Sequence, residues 1–583
     1  MSVRMRLLAA TCAAACGAAA WAGGASAQGT PATLLMPGVT YQRQVTFTPR
    51  GPVVLNVAIG PRPGGLYALD PVLSNNALIG RQRLTDMEKG LSASATAIGV
   101  NGDLFAPATG IPSGVLMRGG TLDSPPLAQR SSIGIGPDGT LHVDRISYSG
   151  YWNGSFQRHP VLLDQPATTQ GVTTLYTPAY GPATPVEKVS VLEEVLSPFP
   201  ATAPNADLVG TVTGTSPAGG VPIPAGGAVL VARGAQTTYL GAEAPMGSQV
   251  TVHLTLTPSW AGITDAIGGG PLLVRNGKAV FRANELFSTD TLATRGPRTA
   301  VGQLADGRIV LVAVDGSRLG YSIGMTSFEL ALALQHMGAV TASGLDGGTS
   351  TAMAFDGALL NRPSDPSGER SVSDALMLLY SGVYAPPPGV PVLSPNGDGY
   401  ADVEPLAYKV VRPSSVTASL VGPDGVARPL DSGQKAPGVY TFSWNALAPD
   451  GSPEPEGKWK LTVTAVDDRG VTSTVTQPFK VNDTIGFLKA PSTVTVRAGQ
   501  AALTASFTLA RAAQVTGTIR TGAGIVVATV RAGRLGPGSQ ILKWDGRTDG
   551  GKLAFAGRYT LVVTAANELG SSDVSQVFTA RRG

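Results

Sequence analysis

The chain has 583 residues, with 43 Lys and Arg against 39 Asp and Glu, and charged residues make up only 14% of it. This near-balance gives no overall pull toward nucleic acid. The 75 Gly and 45 Pro exceed average usage and point to turn-rich β structure spread over several domains.

At the start, Arg4 and Arg6 precede an apolar run over residues 7–22, followed by Ala25-Ser26-Ala27 before Gln28. A charged segment, a short apolar segment and a small-residue cleavage site read as a signal peptide, cleaved after Ala27. The run is shorter than the roughly 20 residues that span a membrane, and no run of that length follows it. The expectation is a secreted, extracellular or cell-envelope protein. Cys12 and Cys16, the only cysteines, would leave with the signal, so neither thiol nor disulfide is expected in the mature chain.

Residues 28–384 mix strands with few helices. Residues 250–256, 309–314 and 376–380 are strand-like. One helix is well marked: Thr326-Ser327-Phe328-Glu329 forms a capping box, residues 328–337 are apolar on nearly every face, and Gly338 is a stop. A helix of that character is expected to be buried, with His336 as a core histidine. Residues 339–343 then read as a strand, ending in the turn Gly344-Leu345-Asp346-Gly347-Gly348-Thr349-Ser350. Residues 352–355 and 358–361 flank Asp356-Gly357 as a hairpin. A Gly-flanked carboxylate between a helix and strands sits on a rigid support, and the glycines admit a ligand or another backbone closely. An ordinary tight turn fits the same residues. His142, His159, His253 and His336 show no metal-ligand spacing. Ser350 lacks the second glycine of a nucleophile elbow, and neither a phosphate loop nor a dinucleotide fingerprint occurs. No organic cofactor is expected; a divalent cation stays open.

Ala385-Pro386-Pro387-Pro388-Gly389 reads as a stiff linker over residues 385–390. Beyond it, Gly457-Lys458-Trp459 with Leu461, Val463 and Ala465 repeats as Gly557-Arg558-Tyr559 with Leu561, Val563 and Ala565. Trp444 and Trp544 keep the same 100-residue offset, which means a duplicated module over residues 391–482 and 483–583. Alternating strands between Gly and Asp turns suit an antiparallel sandwich, and the spacing resembles the Ig-like module of flagellar hook-capping proteins. Such modules serve as spacers or attachments, here to a cell surface. Asn396, Asp398 and Asp402 can supply oxygen ligands to a calcium ion; a plain Asx/Gly turn is the other reading.

Six motifs occur in order: Asn101-Gly102-Asp103-Leu104-Phe105, Gly268-Gly269-Gly270-Pro271, Arg298-Thr299-Ala300-Val301-Gly302, Asp315-Gly316-Ser317-Arg318, Gly324-Met325-Thr326, and Leu345-Asp346-Gly347-Gly348 with Ser350. Together, from about Val53 to Tyr380, they resemble the phosphodiester glycosidase family, which includes the N-acetylglucosamine-1-phosphodiester α-N-acetylglucosaminidase known as the uncovering enzyme. The expected fold class is therefore an α+β catalytic-type domain, a mixed sheet with few helices, followed by two all-β Ig-like sandwich modules. The expected function is hydrolysis of sugar-1-phosphodiester bonds in extracellular or cell-surface glycopolymers. A non-catalytic glycan-binding or adhesive protein and an exopolysaccharide-processing glycosidase are the alternatives.

The leaving group of a sugar 1-phosphodiester is weakly basic, so the site needs charge stabilisation for the phosphate more than a strong acid, together with a carboxylate for the oxocarbenium-like centre or for water. The resemblance implies Arg298 for the first task, Asp346 and Asp315 for the second, Asn101 to orient a sugar hydroxyl, and the amides of Gly347 and Gly348 to face the anion. Ser350 and Arg370 are further candidates. Thr349 stands where the family commonly has a third glycine, and Asp103-Leu104-Phe105 where it often has a glycine followed by two aromatics.

Overall fold

The computed structural model describes residues 28–166, 171–186, 189–497, 500 and 502–583. The signal-like segment and both cysteines lie outside the described residues. The α+β domain is built on two stacked antiparallel sheets. The larger runs in the order Val39–Thr48, Gly51–Gly60, Ile309–Asp315, Arg298–Leu304, Ala339–Gly344, Leu272–Arg275 through its centre. The smaller runs Ala358–Leu359, Met353–Phe355, Thr96–Asn101, Asp374–Tyr380, Tyr67–Leu73. Ile98, Val100, Val301, Leu311, Leu376 and Leu378 fill the space between them. Strands buried on both faces read as continuous apolar runs, which is why Ile309–Asp315 is buried at every position.

The capping box is present as expected, with Thr326 Oγ1 accepting from Glu329 N. The helix Ser327–His336 lays Leu330, Ala331 and Leu334 on the outer face of the large sheet against Val310 and Val312. It is buried on that face only. His336, expected in the core, is exposed in the last turn, because the stripe facing the sheet is carried by positions three and four apart and residue 336 falls outside it. Asp356 and Gly357 both take positive φ, 47° and 83°, making the expected hairpin turn. The helix Leu84–Leu91 covers the other face of the small sheet.

Between Leu141–Arg145 and Asp265–Gly268, which flank Ser131–Ile135 in a third sheet, the chain leaves to form a closed seven-stranded barrel. Its interior packs Trp152, Leu175, Leu230, Val252 and Leu254. The strand expected over residues 250–256 belongs to this barrel as Gln249–Thr257. The expected mixed sheet is thus realised as separate sheets, antiparallel apart from Arg158–Leu163 beside Thr173–Tyr176 in the barrel.

The two C-terminal modules superpose in plan: Ser414–Val421, Gly438–Trp444 and Gly457–Asp467 recur as Ala513–Thr521, Gly538–Trp544 and Gly557–Asn567. Trp459 and Trp544 are buried in the respective cores. Val383 and Ala385 are already part of the first module's core. The amides and carbonyls of Tyr384 and Lys409 pair, and Lys409 Nζ crosses to Asp356 Oδ1 at 2.8 Å. The first module is therefore docked on the large domain, not merely tethered to it.

Candidate active site

Asp346 follows the strand Ala339–Gly344, whose centre is fixed between Arg298–Leu304 and Leu272–Arg275. Its amide donates to Gly102 O at 2.9 Å, so the residue is tied to both sheets at the point where they meet. A cavity of about 260 Å³ opens there, lined by Asp346, Gly347, Gly348, Arg298, Thr299, Phe287 and Leu104 among others. Removal from water pushes the Asp346 carboxyl up to about 6, with Asp103 adding like-charge repulsion. The Ser350 hydroxyl, the Arg370 guanidinium and the Gly347 amide act in the opposite direction and favour the ionised form. Arg370 donates to Thr349 Oγ1 at 2.8 Å and lies 5.3 Å from the Phe105 ring. The two further candidates from the sequence thus both bear on Asp346.

Arg298 reaches the same cavity from the neighbouring strand. Its guanidinium donates to the carbonyls of Pro297, Thr291 and Thr294 at 3.0, 2.8 and 2.6 Å. No carboxylate pairs with it among the described residues, and Nε is buried without a partner. Burial lowers its pKa, yet a guanidinium stays charged at any physiological pH. A half-buried cation that faces a cavity without a counter-ion is suited to receive an anionic group.

Three expected roles are corrected. Asn101 is fully buried. Its Oδ1 accepts from Thr299 Oγ1 and Ala352 N, and its Nδ2 donates to Asp346 O at 2.7 Å. It braces the loop that carries Asp346 and has no free reach toward a sugar hydroxyl. The Gly348 amide donates to Pro297 O at 3.0 Å, so it does not face an incoming anion. What Gly347 contributes is space: a Cβ there would stand 3.0 Å from Pro297 O. Asp315 is buried outside the cavity, its oxygens taken by Tyr321 Oη, Asn361 Nδ2 and Arg362 N at 2.8, 3.0 and 3.1 Å. Those three bonds make it the anchor of the hairpin beside the Asp346 loop.

Beneath Asp346 lies a buried polar cluster that sequence reasoning missed in part. Asp103 is paired with Arg130, which also donates to Gly269 O. Asp374 Oδ1 accepts from Asp103 N at 2.8 Å, and burial beside Asp103 raises the Asp374 pKa well above the usual carboxylate range. Asp103 and Leu104, which stand where the family often has a glycine and an aromatic, are therefore an ion-pair partner and a wall of the cavity. The glycines around them are clearances: a Cβ at Gly268 would come 2.1 Å from Asp103 Oδ2, and one at Gly102 2.2 Å from Asp374 Oδ1. The signal for Asp374 was present, a carboxylate heading an otherwise apolar strand. Arg130 and Phe287 carried none.

Asn396, Asp398 and Asp402 stand away from this site. Asp402 accepts from the amides of Gly397 and Gly399 at 2.7 Å each, and Asp398 from Tyr400 N and Phe487 N at 2.8 and 2.6 Å. Backbone amides occupy the oxygens proposed for calcium, and the Phe487 bond fastens this turn to the second module.

Residues 201–379 match the family model described as phosphodiester glycosidase, and residues 492–568 that of the FlgD Ig-like domain. The first match is shorter than the stretch expected from the motifs, and the strands and polar residues before residue 201 complete the same sheets. A segment of 119 residues is 34% identical to the SPbeta prophage-derived uncharacterized protein YomE of Bacillus subtilis, covering 20% of this chain and 18% of that protein. Over 145 residues the chain is 30% identical to the basal-body rod modification protein FlgD of Salmonella typhimurium, covering 24% of this chain and 57% of FlgD. The chain thus spans less than two thirds of either relative. A crystal structure of a hypothetical protein from Synechocystis shares 26% identity at a TM-score of 0.50, over 60% of this chain and 64% of that one.

Proposed function

We propose that this chain, which carries a phosphodiester glycosidase-type domain and a FlgD-type Ig-like module, is an exported hydrolase that cleaves the bond between a sugar anomeric carbon and a phosphodiester in extracellular or cell-surface glycopolymers. The observation that carries the reading is the pairing, in one cavity, of a carboxyl displaced toward neutrality with a guanidinium that has no carboxylate partner among the described residues. The cavity, at about 260 Å³, has room for a monosaccharide. Arg298 holds the phosphodiester charge as it develops on the departing phosphate, and ionised Asp346 stabilises the cationic sugar or activates water. Arg370 supplies a second positive charge that acts on Asp346. A neighbouring cleft of about 680 Å³ shares Pro271, Leu273 and Ser327 with the site and is walled by Phe281 and Phe328, which leaves space for the aglycone.

The test is to incubate the purified chain with an N-acetylglucosamine-1-phosphodiester and measure free sugar. The reading expects release by the wild type and its loss in Asp346→Asn. Binding of the diester without any release would support the glycan-binding alternative instead.

A further inference from the structure

The two C-terminal modules share one architecture and differ in charge. Residues 391–482 contain 8 Lys and Arg against 10 Asp and Glu, a net charge of −2; residues 483–583 contain 12 against 5, a net charge of +7. The change falls at equivalent positions of the duplication. Asp431 is replaced at the 100-residue offset by Arg531, Ser443 by Lys543, Leu447 by Arg547 and Ser452 by Lys552, while Glu454 and Glu456 become Ala554 and Ala556. A shared fold tolerates either set, so folding does not require the added cations.

Four of the second module's arginines gather at one end. The strand Gly570–Arg582 starts at the junction with the first module, where Gly570 O accepts from Asn482 Nδ2, and its other end lies about 40 Å away at 3.3 Å per residue. There Arg581 and Arg582 stand beside Thr495 and Val496, with Arg497 next in the chain. Arg558 pairs with Thr579 on the neighbouring strand, which puts it on the same exposed face as Arg581. All four are exposed, and among the described residues none makes an ion pair; the module's one salt bridge is Arg511 with Glu456 of the first module. Phe555 is 73% exposed and lies 5.1 Å beneath Arg582, an apolar surface within the same cluster. These unpaired like charges lie at one end of the sheet, Arg558 and Arg581 on one face and Arg582 on the other, and they repel one another until an anion covers them.

We infer that the end of the second module bearing Arg497, Arg558, Arg581 and Arg582 is a docking surface for a polyanionic glycan with closely spaced phosphate, sulfate or carboxylate groups. It would hold the large domain near an anionic surface, and it stands independently of the hydrolase reading, since it uses none of the residues around Asp346.

The test uses the full chain with heparin and dextran sulfate as probes and neutral dextran as the reference. Expected are binding to both anionic polymers that weakens steeply with added salt, none to neutral dextran, and about tenfold or greater loss of affinity when the four arginines are changed to serine. Arg412→Ser with Lys458→Ser, Lys460→Ser and Lys480→Ser in the first module should leave affinity unchanged. A matching melting curve for the module-two variant establishes that it folds. Equal binding by that variant, equal binding to neutral dextran, or a preference for duplex DNA or for phosphatidylglycerol vesicles over dextran sulfate would overturn the inference.

Discussion

A carboxyl that titrates near 6 makes the site sensitive to mild acid. Asp346 acts in its ionised form in the proposed reaction, so kcat/KM should rise with pH through about 6 and level off above it; a profile flat between pH 4 and 8 would remove Asp346 from the chemistry. Asp346→Asn should lower turnover by about 100-fold or more. Asp315→Asn should behave differently, losing about 1.5–3 kcal/mol of stability through its weakened hydrogen bonds while the folded fraction keeps its turnover. Thermal melting beside an active-site titration separates the two. Asp346 was legible in the sequence because glycines flank it and a marked helix and strand lead into it. The roles of Asn101 and Asp315 were not, because their partners, Thr299, Ala352 and Asn361, are distant in the chain and a motif does not show which hydrogen bonds are already spent.

At the level of elements, the glycines and the buried helix position carry the sharpest predictions. Gly268→Ala would drive a methyl into Asp103 Oδ2 and break a buried ion pair, at a cost of about 3–5 kcal/mol; a melting temperature within a degree or two of wild type would refute the clearance role. Glu88, in the helix Leu84–Leu91, is 1% exposed, and burial pushes its carboxyl up to about 9 from its ordinary value of 4.5. A folded pKa raised above the unfolded one gives stability that is present in acid and lost as pH rises from about 4.5 through about 9. Glu88→Gln cannot ionise, so it should match the wild type near pH 4 and exceed it by a few kcal/mol at pH 8. Parallel stability curves for the two proteins would contradict this. The helix Ser327–His336 and its neighbouring strands were readable from period and caps. The barrel was not, since its closure depends on pairings distant in the chain, such as Ser147–Asn153 with Gln249–Thr257, and nothing local marks a closed insertion between residues 145 and 265.

For the whole molecule, the duplication was visible in the offset of Trp444 and Trp544, while the docking of the first module was hidden. The proline-rich stretch reads as a spacer, but Val383 and Ala385 on its near side are core residues of the module, and Lys409 is almost buried against Asp356. Lys409→Ala leaves Asp356 without its partner and should loosen the junction, seen as protease cleavage near residues 386–391 that the wild type resists. The polar cluster of Asp103, Arg130 and Asp374 belongs to this scale too, because it draws on three separate segments that only the completed fold brings under Asp346.

If Asp346 and Arg298 direct cleavage of the carbon–oxygen bond of a sugar 1-phosphodiester, the oxygen of the attacking water must end on the sugar. Hydrolysis in water enriched in heavy oxygen, followed by mass analysis of both products, tests it most directly. The label is expected at the anomeric position of the free sugar, with none in the phosphate monoester. Label in the phosphate would show attack at phosphorus and contradict it.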